Sequence, residues 1–238
     1  MSAGAVIAIA VGGTLLMAAG ITWMVLAINR SNGRDEQAIL ARLRDELPKR
    51  GWIYEERNDS YADVFNAQPA FKLRNPLEPL VAPPEALGAR HVITGVHRGR
   101  PFLIAEFDVR HKGQRFPTGA VWMRLPEGRP PLTVRQVIRA QSRIRSAIGQ
   151  RDMQLGHPGF DERFEITTES EPFARAVLTP QVVNFLMNAP RQVTGFAVYG
   201  DHFDLHDIID DHRDPAELVP ALDLRCDLLD LIPASVWA

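Results

Sequence analysis

The residues best equipped for chemistry lie near the C-terminal end of the chain. His202, Asp204 and His206 recur at every second position, and Asp207, Asp210, Asp211 and His212 follow closely. On a β-strand alternate side chains share a face. The first three would therefore present two imidazoles and a carboxylate side by side. Such groups ligate divalent metals, and the His202–His212 cluster could equally activate water in a membrane-bound hydrolase. The spacing also has a plainer source. A strand that turns Phe203 and Leu205 inward puts polar residues outward at these same positions, and the acids that follow form a loop. The plainer source outweighs the other two, so no catalytic or metal-binding residue is assigned. His91, His97, His111 and His157 stand near turns, at no fixed spacing from a nucleophile.

The second candidate is electrostatic. Arg135, Arg139 and Arg143 are four apart, with Arg129, Arg145 and Arg151 around them and no acid between Gly128 and Gln150. On a helix they would share one face. Each basic residue close to an anionic leaflet contributes about 1 kcal/mol, so this stripe is the candidate surface for lipid headgroups or other anions. Nucleic acid is not an expected partner, because no aromatic side chain interrupts the stretch to stack on bases. A solvated face explains the stripe as simply, and so does internal pairing. Residues 88–151 carry 13 basic and 3 acidic side chains and residues 152–238 carry 5 and 16, so opposite charges are segregated along a chain whose net charge is -2.

Several chemistries are excluded by what is missing. There is no GxGxxG or Walker-type phosphate loop, no GxSxG elbow, no HExxH and no CxxC. The single cysteine, Cys226, rules out a disulfide scaffold and a cysteine-ligated metal cluster. No cofactor is expected, and the balance leans away from an enzyme.

These residues need elements to hold them. Ala5–Ile28 is free of charge. As a helix it would reach about 36 Å, enough to cross a bilayer with some tilt. A cleaved signal peptide would want a basic start and a shorter apolar run. Arg30, Arg34, Arg42, Arg44, Lys49 and Arg50 follow the run and no Lys or Arg precedes it. The positive-inside rule thus places the short N-terminus outside and the remainder in the cytoplasm. The division expected is a transmembrane anchor over 1–28, an amphipathic connecting helix over 29–51 with Ile39, Leu43 and Leu47 on its stripe, and a cytoplasmic domain over 52–238.

Within that domain, Trp52–Tyr54 predicts a short strand, and Tyr61–Phe65 a second one returning after Asn58–Asp59–Ser60. The proline-dense stretch from Gln68 to Leu87 cannot be a long helix or central strand. Ala89–Leu125 predicts a three-stranded antiparallel meander turning at RGRP and KGQR, with Leu103, Ala105, Phe107 and Val109 on the core face. Leu132–Arg135 is either an edge strand or a helix start with Thr133 and Gln136 as a capping box. Phe160, Phe164 and Ile166 mark a short strand region. Two short helices follow, over Glu171–Val177 and Pro180–Met187, the second capped by Thr179. A hairpin turns at Gly200–Asp201. A last helix opens at Asp214–Pro215 and buries Leu218, Leu222, Leu229 and Ile232, with Pro220 predicting a kink or a later start. The sum is an α+β fold, mainly antiparallel.

The order of the anchor, TGAVWMRLP, LTVR, GHPGFDERFEIT, LTPQVVNFLMN, GFAVYGDHFDLH and the Leu-rich last helix resembles an uncharacterised family of bacterial single-pass membrane proteins. The resemblance covers most of the chain. It implies bacterial membrane anchoring and carries no site residues. The function expected is therefore a membrane-tethered cytoplasmic binding or scaffolding module. Its partners would be the lipid bilayer, anionic headgroups and a protein yet to be identified.

Overall fold

A computed structural model describes residues 35–68, 83–137, 153–189 and 193–237. The apolar run over 5–28 lies outside them, as do Arg139, Arg143 and most of the proline-dense stretch. Among the described residues no helix is long and apolar enough to cross a membrane. The chain divides into two compact units, one ending at Asp45 and one beginning at Glu46. Of the first unit, the described part is helical. It forms the start of helix α1, which spans 35–50. α1 ends where Gly51 takes φ +66, and the Trp52 N–H donates to the Leu47 carbonyl at 3.0 Å.

The second unit is built on a six-stranded antiparallel sheet. Strand β1 (Ile53–Arg57) pairs with β2 (Glu85–His97), β2 with β3 (Arg100–His111), and β3 with β4 (Gln114–Gln136). The predicted meander is present. Its two turns, Arg98–Gly99 and Lys112–Gly113, have positive φ at both central residues. That is the backbone of a type I′ turn, whose twist matches the flanking strands.

Register assigns the faces. Leu103 stands opposite Trp122 and Ala105 opposite Ala120, while Phe102 stands opposite Met123 and Ile104 opposite Val121. All eight are buried. The expected core face is thus one of two. The first face is packed by helix α2 (Ala62–Ala67), whose Phe65 ring lies 5.1 Å from Phe107 and 6.2 Å from Trp122. The second is covered by helix α6 (Pro215–Asp230), fixed to β2 through His97 and Asp223 at 2.8 Å.

β4 is the organising strand. Its first half pairs with β3. Its last residues, Leu132–Gln136, pair on one edge with β5 (Phe164–Thr168), and on the other edge β4 pairs with β6 (Gly195–His206). β6 reverses at Gly200, where φ is +59. Its ends meet, the Thr194 N–H donating to the His206 carbonyl at 2.8 Å, and Phe196 lies against Phe203 at 5.6 Å. The reversal read at Gly200–Asp201 is therefore real, but each arm takes its ladder from β4.

Three expectations are corrected. Tyr61–Phe65 is not a strand. Asn58 accepts from the Ser60 N–H and starts a 3-10 turn, Asp59–Tyr61, which runs into α2 and turns Ala62 and Phe65 inward. Thr133 does not cap a helix. Leu132–Gln136 is laddered on both edges, so Arg135 lies exposed on a strand, opposite Glu165. Phe160 sits in the short helix α3 (Pro158–Asp161), capped by the His157 side chain. Elsewhere the helix signals hold. Ser170 caps α4 (Glu171–Val177), Thr179 caps α5 (Pro180–Asn188) and Asp214 caps α6, each accepting a backbone N–H. α6 begins at Pro215 rather than after Pro220.

The β4–β6 contact leaves no room for a side chain at Gly195. A Cβ there would fall 1.9 Å from the Val134 carbonyl oxygen, and φ is +148. Gly195→Ala should cost about 3 kcal/mol or more, because neither backbone can yield. Gly119→Ala, where a Cβ meets nothing within 4 Å, should stay within about 0.5 kcal/mol. Urea unfolding of both variants is the check, and equal effects would contradict this packing.

Candidate binding face

The sequence cluster around His202 is dispersed by the fold. The His202 ring packs edge-on to Trp122 at 5.4 Å, its Nδ1 lying 2.7 Å from Asp201 and 3.0 Å from the Gln68 amide. Asp204 accepts from the Trp122 ring N–H and lies 3.9 Å from Arg225. Asp207 pairs with Arg225 at 2.9 Å and Asp211 with Arg213 at 2.9 Å. His212 turns toward His91, ring centres 6.4 Å apart. Asp210 is exposed. Among the described residues no group of His, Cys, Asp and Glu side chains is placed to hold a metal ion.

Arg225 was invisible to periodicity and is the most heavily bonded side chain of this region. Only 2% of it is exposed. It donates to the carbonyls of Val121, Ala221 and Leu205 and to Asp207, all at 2.8–3.0 Å. Burial has shifted the neighbouring groups. It pushes the Asp204 carboxyl up to about 6 against the pull of Arg225. It pulls His202 and His206 below the ordinary imidazole range, the charges of Arg135 and Arg225 adding to the effect on His206.

Among the described residues, the first face of the sheet is only partly covered. α2 has six residues and so extends about 9 Å, far less than the strands beneath it. Ile53 and Val96 remain 62% and 54% exposed. Ile53 pairs with Thr94, which pairs with Leu103 and it in turn with Trp122, while Val96 is two residues from Thr94. All of these side chains therefore share one face. Beside α2 the face sinks into a groove of about 290 Å³, lined by Tyr61, Val64, Leu103 and Trp122, with Arg124, Asp201 and His202 along its rim. Arg124 and Asp201 pair at 3.2 Å. A larger groove of about 490 Å³ lies between α5 and His157. Its lining carries no aspartate, glutamate, lysine or arginine, and no exposed large apolar residue adjoins it in the lining. An apolar floor with a few polar groups at its rim is the usual form of a recognition site, and the Trp122 groove has that form.

The segregated charges meet inside the domain. Arg98 pairs with Asp227 and Asp230, Arg100 with Asp230, and Arg124 with Asp201. The basic middle of the chain thus neutralises part of the acidic C-terminal third.

No family model matches the chain, and no curated protein matches it. Among solved structures it is similar to the crystal structure of the mycobacterial trehalose monomycolate transport factor A, TtfA. The TM-score is 0.46 at 14% identity, over 82% of this chain and 96% of that one.

Asp204 offers a direct probe of the buried cluster. Its carboxyl sits above the unfolded value of 3.8, near 6. Its contribution to stability is therefore complete below about pH 4 and lost as pH rises through about 6. Asp204→Asn should gain about 1–3 kcal/mol at pH 7.5, and the gain should vanish toward pH 4. Thermal melting of both proteins across this range is the check. A variant less stable than wild type at pH 7.5 would refute the assignment.

Proposed function

We propose that this chain is a membrane-tethered binding module that receives an apolar protein segment on the uncovered half of its first sheet face. The tether is the apolar run over 5–28, and the domain over 52–238 lies on the cytoplasmic side. The observation that supports the binding role is the placement of Ile53 and Val96, solvent-exposed, on the same face as the Trp122 groove. Exposed apolar residues scattered singly need no function, but a contiguous set beside a groove does. The bilayer is the first partner of such a module. Arg135, together with Arg139 and Arg143, is the group assigned to anionic headgroups.

Site-specific photo-crosslinking in intact membranes tests the reading. A crosslinker at Val96 should give discrete protein adducts, and one at Lys112, in the β3–β4 turn, should give none. Ile53→Glu should abolish the Val96 adducts without lowering the melting temperature, since the side chain is exposed. Equal adducts from both positions, or adducts unaffected by Ile53→Glu, would overturn the binding face. Alkaline phosphatase fused to the C-terminus should be inactive, and strong activity would overturn the orientation.

A further inference from the structure

The connection between β6 and α6, residues 207–214, lies across the sheet from the groove. It is bonded largely within itself. The Arg213 N–H and guanidinium donate to Asp211, and the Asp214 N–H donates to the Asp211 carbonyl at 3.0 Å. Asp207 ties it to Arg225 at one end, and His212 ties it to His91 at the other.

The His91 end is unusual in two ways. His91 has φ +49 and stands where the β2–β3 register shifts between Arg90 and Ile93, a bulge. A bulky side chain in the left-handed region costs of order 1–3 kcal/mol and persists only where its surroundings hold it. Here the Tyr54 hydroxyl holds it, 2.8 Å from Nδ1, with the two rings stacked. The His212 ring in turn hydrogen-bonds the His91 backbone, and its Nε2 is buried with no hydrogen-bond partner. A neutral imidazole tolerates that position, because an unpaired lone pair costs little. An imidazolium would carry a charged N–H there with no acceptor, next to a second imidazole.

We propose that the His91–His212 contact is an acid-released latch: when the rings take up protons, the 207–214 loop lifts from the sheet. The titratable and charged groups around the pair are Tyr54 on β1, Arg90 on β2, Glu106 on β3, and Asp211 and Arg213 on the loop itself. Arg90 is spoken for by Glu106 at 2.6 Å and Arg213 by Asp211 at 2.9 Å. Asp211 and Glu106 still favour a charge on the rings, but the cost of burial outweighs them. Burial holds both imidazoles below the ordinary range. A group with a depressed folded value gives stability that is complete above the unfolded value and lost as pH falls through the folded one. The latch is closed at neutral pH and opens as acid reaches the folded range below about 6.5.

Hydrogen exchange on the full chain in detergent, corrected for intrinsic rates, tests this at pH 7.5 and 5.5. Amides of 208–213 should lose about tenfold in protection on acidification, the effect of one displaced proton unit. Those of Ile104–Phe107 should hold. In His212→Gln, whose amide can still donate to the His91 carbonyl but cannot titrate in this range, the loss should disappear. Unchanged loop protection in the wild type, or the same loss in His212→Gln, would overturn the latch. Imidazole NMR of the wild type keeps the proposal open to refutation should the variant misfold. The His212 ring should remain neutral at pH 6.5, and a ring half-protonated there or above contradicts the proposal.

Discussion

A guanidinium with almost no access to water anchors the second unit. Arg225 cannot shed its proton, so its burial is tolerable only if every side of the charge is met. It is met by three carbonyls and a carboxylate drawn from β4, β6, α6 and the loop between the last two. Each of these elements is thereby fixed relative to the others. α6 can lie on the sheet in only one register, with Asp223 reaching His97 and Cys226 against the His97 carbonyl. The loop leaves β6 at Asp207, whose side chain is fully buried beside the guanidinium.

The consequence for function is an asymmetry between the two sheet faces. α6 is sixteen residues long and closes its face. α2 is six residues long, and among the described residues it leaves part of the opposite face apolar and open, at the end marked by Ile53, Val96 and the Trp122 groove. The charge segregation seen along the chain serves the closed side, where Arg98 and Arg100 bind the acidic row Asp227 and Asp230 on α6. Such exposed pairs contribute little individually. Here they add to a helix already positioned by Arg225.

Much of this was legible in the residues. The meander, its two Gly-containing turns, the caps at Thr179 and Asp214 and the leucine stripe of α6 follow from alternation, turn chemistry and helical spacing, all local signals. The failures share a cause. TVRQ carries the letters of a capping box, yet Leu132–Gln136 is held as strand by partners distant in sequence, in β5 and in β6. Tyr61–Phe65 has strand-like composition but lies beside Asn58, whose cap starts a helical turn. The polar alternation at His202, Asp204 and His206 reads as the outward side of a strand, but these side chains are not simply solvent-facing. The fold-back of β6 draws them into partial burial against Trp122 and Arg225. Nothing in the spacing distinguishes Arg225 from a surface arginine, because the burial of a charge is decided by the acceptors that other segments bring to it.

The central role of Arg225 is open to one direct measurement, equilibrium urea unfolding of Arg225→Leu at pH 7.5. Removing one partner of a buried pair strands the other, here Asp207, and such losses run to about 3–5 kcal/mol. A loss of that size, largely recovered when Asp207→Leu is added, is what a charge-satisfied anchor predicts. A single variant within about 1 kcal/mol of wild type would mean that the apolar face of α6 positions the helix without the guanidinium, and would contradict the account.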